Sequence, residues 1–415
     1  MRSAWMAAAL GWVLATGVAG AATPAGGVYA IIDAAQLAQQ KQVVTAALAE
    51  PGVDGLLIHL RWGQTSNGFM SYDWTALDDT IALATAAHKR FEIGVVMGGA
   101  TPGWVTAPAP KGLGAASASF TVNASVGGGC TTFIMAAPYD PNYLKAYRDF
   151  LTKLAAHLRT MKTYQFLAML KLSGLSTTTD EMRLPAIDPP ASAHCAASDT
   201  LATWQSLGYT PGKVRGAWDA MLRAAAADFP QKSFNIGFIG FNAFPGIRSD
   251  GSIATAKSEQ AALSARLTAN LIGDAGARMP GHIALGFDSL TLSPTNTSAY
   301  DATLKAYFSD GAAAGARPGW QTNELLGQLP ASASACASGN AATCGGAACA
   351  GSTKEDAAPC GGADQFLAML LAGIYPDGEG NTAIDRQGVY LELFPQNIAQ
   401  FHSAIPTAHR DLATF

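Results

Sequence analysis

The chain has 415 residues, with 26 Lys and Arg against 30 Asp and Glu, a formal net charge of −4, and only 13% of its residues charged. That length suits one large barrel or two ordinary domains. A mildly acidic chain without a basic face argues against nucleic acid, whose phosphates demand one, and the scarcity of charge fits a neutral, polar ligand.

At the start, Arg2 precedes an almost wholly apolar run from Ala4 to Val18, and Ala19-Gly20-Ala21 supplies the small residues of a cleavage site. This is the pattern of a secretory signal peptide over 1–21, because the run is shorter than the ~20 apolar residues of a membrane span. Residues 22–415 are then expected to form a single exported domain, secreted or periplasmic, with no membrane contact after cleavage.

Beyond the leader, short apolar runs alternate with longer runs of helical period. The predicted strands cover 27–32, 55–62, 91–99, 166–174, 233–240, 282–290, 319–326 and 388–394. Helices are expected over 33–50, 73–90, 140–159, 210–229, 254–274, 298–314, 363–373 and from 397 onward. Asp73, Asp140 followed by Pro141, and Thr210 followed by Pro211 are suitable helix starts. Eight strand–helix units make an α/β protein of the (β/α)8 TIM-barrel type. The alternative, an open doubly wound sheet, usually carries a Gly-rich turn after its first strand, and "IIDAAQ" stands there instead. Long βα loops follow strands 3, 4 and 7, at 100–139, 175–209 and 327–362. All three lie on the face where barrel enzymes keep their sites.

Six cysteines follow the leader: Cys130, Cys195, Cys336, Cys344, Cys349 and Cys360. An even number in an exported chain favours disulfides. The closely spaced Cys344 and Cys349 raise zinc as a rival, but without a Cys-x-x-Cys pair or a nearby His cluster no metal is expected. Cys130 and Cys195 occupy adjacent βα loops and are expected to pair. The other four fall in one insertion and should pair among themselves, with three connectivities open. No P-loop, dinucleotide fingerprint or nucleophile elbow is present, so no cofactor is expected.

In a barrel, the ends of strands carry the chemistry. Those ends supply Arg61, Trp62, Trp104, Asp180, Glu181, Asn242, Asp288, Trp320, Gln321, Asn323, Glu324, Tyr390 and Glu392. Glu181 and Glu324, after strands 4 and 7, face each other across the mouth, as glycoside hydrolysis requires of its two carboxyl groups. Arginine, amides and tryptophans suit sugars, which present hydroxyls at the edge and apolar C–H faces. Blander roles are open as well. Arg61 can pair with a barrel carboxylate, Trp104 can belong to the core, Asp288 and Glu392 can be barrel-interior hydrogen-bond partners, and His59 reads as a structural polar residue in mid-strand.

The stretch "GLLIHLRWGQTSNGFMSYDWTALDDTIALA", followed by "TPGW", resembles the second and third units of clan A glycoside hydrolases. These are retaining (β/α)8 enzymes that include β-galactosidases, cellulases and mannanases. Arg61, Tyr72, Asp73 and Trp74 carry the likeness. It implies Glu181 as acid/base and Glu324 as nucleophile of a two-glutamate double displacement. It also implies an oligosaccharide, polysaccharide or glycoside substrate, for which the strand ends offer Arg61, Trp62, Trp104, Asn242, Asp288, Trp320, Asn323, Tyr390 and Glu392 as contacts. The chain departs from the pattern at Asp180, where the clan places an Asn before the acid/base, and Glu181 lies several residues past the apparent strand end. A barrel that binds carbohydrate without cleaving it, and a different barrel hydrolase or lyase, are the alternative functions.

Overall fold

A computed structural model describes residues 26–123, 130–190, 194–196, 198–238, 242–290, 317–322, 366–367, 370 and 389–412. Twelve strands are described: β1 (Gly27–Asp33), β2 (Gly55–Arg61), β3 (Ser66–Gly68), β4 (Ser71–Tyr72), β5 (Arg90–Val96), β6 (Ser117–Asn123), β7 (Cys130–Ala136), β8 (Leu167–Lys171), β9 (Ser233–Phe238), β10 (Ile283–Leu290), β11 (Arg317–Thr322) and β12 (Tyr390–Leu393). Eight of them close into a parallel barrel in the order β1-β12-β11-β10-β9-β8-β5-β2. All eight predicted strands are found, in chain order around the barrel, as a (β/α)8 fold demands.

The described helices include, in chain order, α1 (Leu37–Ala49), α2 (Trp62–Thr65), α3 (Thr75–Ala86), α4 (Gly103–Thr106), α5 (Pro141–Thr160), α6 (Thr200–Ser206) and α7 (Pro211–Asp228). α5 (Pro141–Thr160) starts at Asp140, whose carboxylate accepts from the N–H groups of Asn142 and Tyr143. α7 (Pro211–Asp228) starts at Thr210, whose hydroxyl accepts from Lys213. Both carry proline in their first turn, where its missing N–H costs nothing. The helix after β2 begins one residue later than expected: Trp74 is the cap, and Asp73 turns its carboxylate to the N–H and hydroxyl of Thr75. The expected helix over 298–314 and most of that over 363–373 lie outside the described residues.

Two hairpins interrupt the expected loops. β6 and β7 pair antiparallel within the insertion after β5, and β3 pairs with β4 after β2. The first lies in the long loop expected over 100–139, where short strands flanking a Gly-rich link carry little periodicity. Cys130 on β7 is bonded to Cys195, with Cα atoms 5.5 Å apart, so the expected pairing of adjacent loops is met. The other four cysteines lie outside the described residues. Among the described residues no helix is long and apolar enough to cross a membrane.

Alternate strand residues pack outward against the helices or inward into the barrel, and the inside is unusually polar. Beside Tyr29, Ile31, Leu57 and Met169 it holds Glu92, Lys171, Asn235, Gln321 and Glu392, all buried. The Tyr390 ring occupies the space above Gly319, where any Cβ would collide with it.

Glu92 has no hydrogen-bond partner for either carboxyl oxygen among the described residues. Burial, reinforced by the nearby Glu392, pushes its pKa well above the ordinary glutamate value. A raised folded-state pKa means the fold binds a proton that the unfolded chain has released, so stability falls as pH rises past about 4.3 toward the folded value. Glu92→Gln removes that dependence. The variant is expected to match or exceed the parent in Tm near neutral pH and to show a flatter Tm profile between about pH 5 and 8. An unchanged slope would mean that Glu92 is ionised in the fold.

Candidate active site

The carboxyl end of β8 is built by an interruption. Continuing the register past Lys171↔Asn235 would set residue 174 opposite Phe238. Instead Met182 takes that place and donates its N–H to the Gly237 carbonyl at 2.8 Å, so eight residues (182 in place of 174) are looped out. Tyr147 and Tyr143 of α5 hold the detour, donating to the carbonyls of Ser173 and Gly174 at 3.1 and 3.0 Å. On its other side the Gly99 N–H reaches the Thr177 carbonyl at 2.6 Å. Gly98 beside it has φ 52°, and a Cβ there would collide with the carbonyls of Ser176 and Thr177. Only glycine fits that position.

This detour returns Asp180 and Glu181 to the strand end. Asp180 turns inward and is 0% exposed, with Oδ2 3.2 Å from His59 Nε2 and 3.5 Å from Lys171 Nζ. Glu181 beside it is 4% exposed, and its Oε2 is buried without a hydrogen-bond partner among the described residues.

Beneath them lies a charged cluster. Lys171 Nζ donates to Gln321 Oε1 at 2.9 Å and to Glu392 Oε2 at 3.0 Å, while Asn235 Nδ2 donates to Glu392 Oε1 at 2.6 Å. Burial alone would raise the Asp180 pKa, but His59 and Lys171 more than offset it and hold the carboxyl well below its usual range. Burial alone would lower Lys171, yet Asp180 and Glu392 raise it further, so the ammonium persists. His59 follows the same pattern: Asp180 outweighs its desolvation and the net shift is upward. Two buried carboxylates thus compete for one lysine. Asp180 keeps its charge, whereas burial leaves Glu392 raised despite the nearby ammonium.

The other expected residues divide into three groups. Arg61 stands at the mouth, 36% exposed on its side chain, with Nε donating to Asp33 Oδ2 at 2.6 Å. Trp104 is half-buried, its indole N–H donating to Ser66 Oγ at 2.8 Å. Asn242 is half-buried in the loop after β9, with φ 52°, and Asp288 lies on β10.

A second group packs into the apolar layers or the barrel interior. Trp62 is enclosed by Trp104, Tyr143 and Phe150, with ring centroids 6.3, 5.9 and 5.5 Å away. Trp320 packs into the apolar layer between strands and helices, because strand alternation sends Gln321, and not its neighbour, into the barrel. Tyr390 and Glu392 lie inside the barrel, Glu392 as the hydrogen-bond partner of Lys171 and Asn235. These four are supports of the site. Asp180 is likewise engaged by His59 and Lys171. Asn323 and Glu324 form the third group: they follow β11 directly and lie outside the described residues.

The sequence does not single out Lys171 and Asn235 as parts of this cluster, whereas His59 is the structural polar residue expected of it, paired with Asp180. A lysine in the middle of an apolar strand was the available signal, since an unpaired buried ammonium is prohibitively costly.

No protein-family model matches the sequence, and no curated protein matches it. Solved structures do share its fold. The catalytic domain of a β-amylase from Paenibacillus polymyxa aligns with a TM-score of 0.53 at 11% identity, over 92% of this chain and 99% of that one. A GH10 endoxylanase from a sugarcane soil metagenome gives 0.41 at 9% identity, over 71% and 65% of the two chains. An intracellular xylanase from Thermoanaerobacterium saccharolyticum, in complex with xylotriose, gives 0.40 at 11% identity, over 72% and 73%. At such identities the likeness is one of fold: the chain has a (β/α)8 barrel, as the β-amylase domain does.

Proposed function

We propose that this protein is an exported glycoside hydrolase that cleaves O-glycosidic bonds of a neutral oligosaccharide or polysaccharide at the carboxyl end of the barrel. The observation that carries the proposal is Glu181: a carboxyl group returned to the end of the fourth barrel strand, with one oxygen buried and unpartnered among the described residues. In this mechanism Glu324 attacks the anomeric carbon as the bond to the leaving oxygen breaks, and Glu181 gives that oxygen its proton. Water then attacks the glycosyl–enzyme ester, passing a proton to Glu181 and releasing Glu324. Such retention requires the two carboxyl groups about 5–5.5 Å apart, whereas about 6.5–9.5 Å would give inversion. In this reading Arg61, Trp104 and Asn242 contact the substrate. Export is supported by the apolar leader sequence and by the Cys130–Cys195 bond, which belongs to an oxidising compartment.

The test is hydrolysis of a panel of p-nitrophenyl glycosides and neutral oligosaccharides, with product anomers followed by NMR. Turnover with retained configuration is expected. Binding of an oligosaccharide without turnover would instead identify a carbohydrate-binding barrel.

A further inference from the structure

The segment from Trp62 to Tyr72 contains no charged residue and no histidine, yet it ends in a rigidly built hairpin on the mouth. β3 and β4 pair Ser66 with Tyr72 and Gly68 with Ser71. At the tip Met70 adopts φ 51°, a left-handed conformation that a side chain of this kind rarely takes and that needs outside support. That support comes from α5: Lys153 Nζ donates to the Met70 carbonyl at 2.6 Å while pairing with Asp149 at 3.0 Å.

What the strained tip presents is Phe69, 55% exposed. It is the outer member of an aromatic series running from the core. Trp62 is buried, Trp104 meets it edge-on at 6.3 Å, and Phe69 meets Trp104 at 5.4 Å with the rings inclined by 65°. The hydrogen bond from the Trp104 indole to Ser66 ties that ring to the same hairpin.

We propose that Phe69, backed by Trp104, is a stacking platform for a pyranose ring of a neutral glycan chain, at a subsite on the rim apart from the point of cleavage. β2 is two strands from β8 in the barrel, about 10 Å at the usual strand spacing, so the ring stacked there is another unit of the chain than the one at Glu181. The chemistry of the tip selects this ligand. A flat apolar ring accepts the C–H face of a sugar, and the exposed, uncharged Gln64, Asn67 and Ser71 of the same segment suit its hydroxyls. The substrate is thereby a chain of several sugars. This rests on the glycosidase reading of the same face.

The test compares Phe69→Ala and Phe69→Trp with the parent on maltohexaose, cellohexaose, xylohexaose and mannohexaose, and on the corresponding p-nitrophenyl monoglycosides. For the hexaose the parent cleaves, Phe69→Ala is expected to lower kcat/KM, relative to that on the monoglycoside, by about tenfold, the equivalent of one aromatic contact. Phe69→Trp restores the ratio. An unchanged ratio with the parent active would overturn the platform and leave the glycosidase assignment standing. Failure of the parent to bind or cleave any of the eight compounds would overturn both.

Discussion

Glu181→Gln is expected to lower kcat by about 10²–10⁴-fold on substrates with poor leaving groups, the usual contribution of a positioned acid. On aryl glycosides with activated leaving groups the loss in the bond-breaking step should be far smaller, because such a group departs without a proton. The amide preserves shape, so Tm should stay close to that of the parent. The companion variant, Glu324→Ala, is expected to abolish turnover on every substrate while the barrel stays folded, and azide should restore a product of inverted configuration by occupying the space of the lost carboxylate. Equal losses on good and poor leaving groups in Glu181→Gln would remove Glu181 from the role of acid. Near-normal rates in Glu324→Ala on a confirmed substrate would remove Glu324 from that of nucleophile and leave it as an ordinary strand-end residue.

Lys171→Met should be the most destabilising single change inside the barrel. Lys171 is the shared cation of Asp180 and Glu392, and its side chain is fully enclosed. Removing it strands two carboxylates in a space that water does not reach, and breaking a buried ion pair in this way costs about 3–5 kcal/mol. The sign of the pH effect follows from the shifts. Asp180 is held below its usual range by His59 and Lys171, so its pairing contributes stability above the unfolded carboxyl pKa and loses it as pH falls through the folded value. Without Lys171 that contribution shrinks at neutral pH, and protonation of the stranded carboxyls becomes the cheaper state. The gap in stability between variant and parent is therefore expected to be larger at about pH 8 than at about pH 5. Adding Glu392→Gln should recover part of the loss, and chemical denaturation of the four proteins of this cycle measures the coupling. A gap independent of pH, with no recovery in the double variant, would mean that Lys171 acts by packing alone.

The same residues mark the boundary of what one-dimensional information contains. The eight strands were legible because each is a short apolar run bounded by turns, and such runs, alternating with amphipathic helices, admit few topologies. Asp140 and Thr210 announced their helices, since a cap and a following proline act within a single turn. The Cys130–Cys195 bond was legible from the adjacency of two loops in a barrel. Those are local or topological properties, written along the chain.

Which polar residues meet is a property of the folded barrel. Lys171 joins Glu392 across 221 positions and Gln321 across 150, and strand alternation says which residues face inward without saying which stand at the same height. Trp62 and Trp104 look alike in the sequence, yet one is walled in by α5 while the other reaches the mouth. Most telling is Glu181, which lies beyond the apparent strand end and regains it through a detour held by Tyr143, Tyr147 and Gly98. A register resumed after eight looped-out residues leaves no periodic trace, because the hydrogen bond between Met182 and Gly237 that restores it belongs to two chain segments at once.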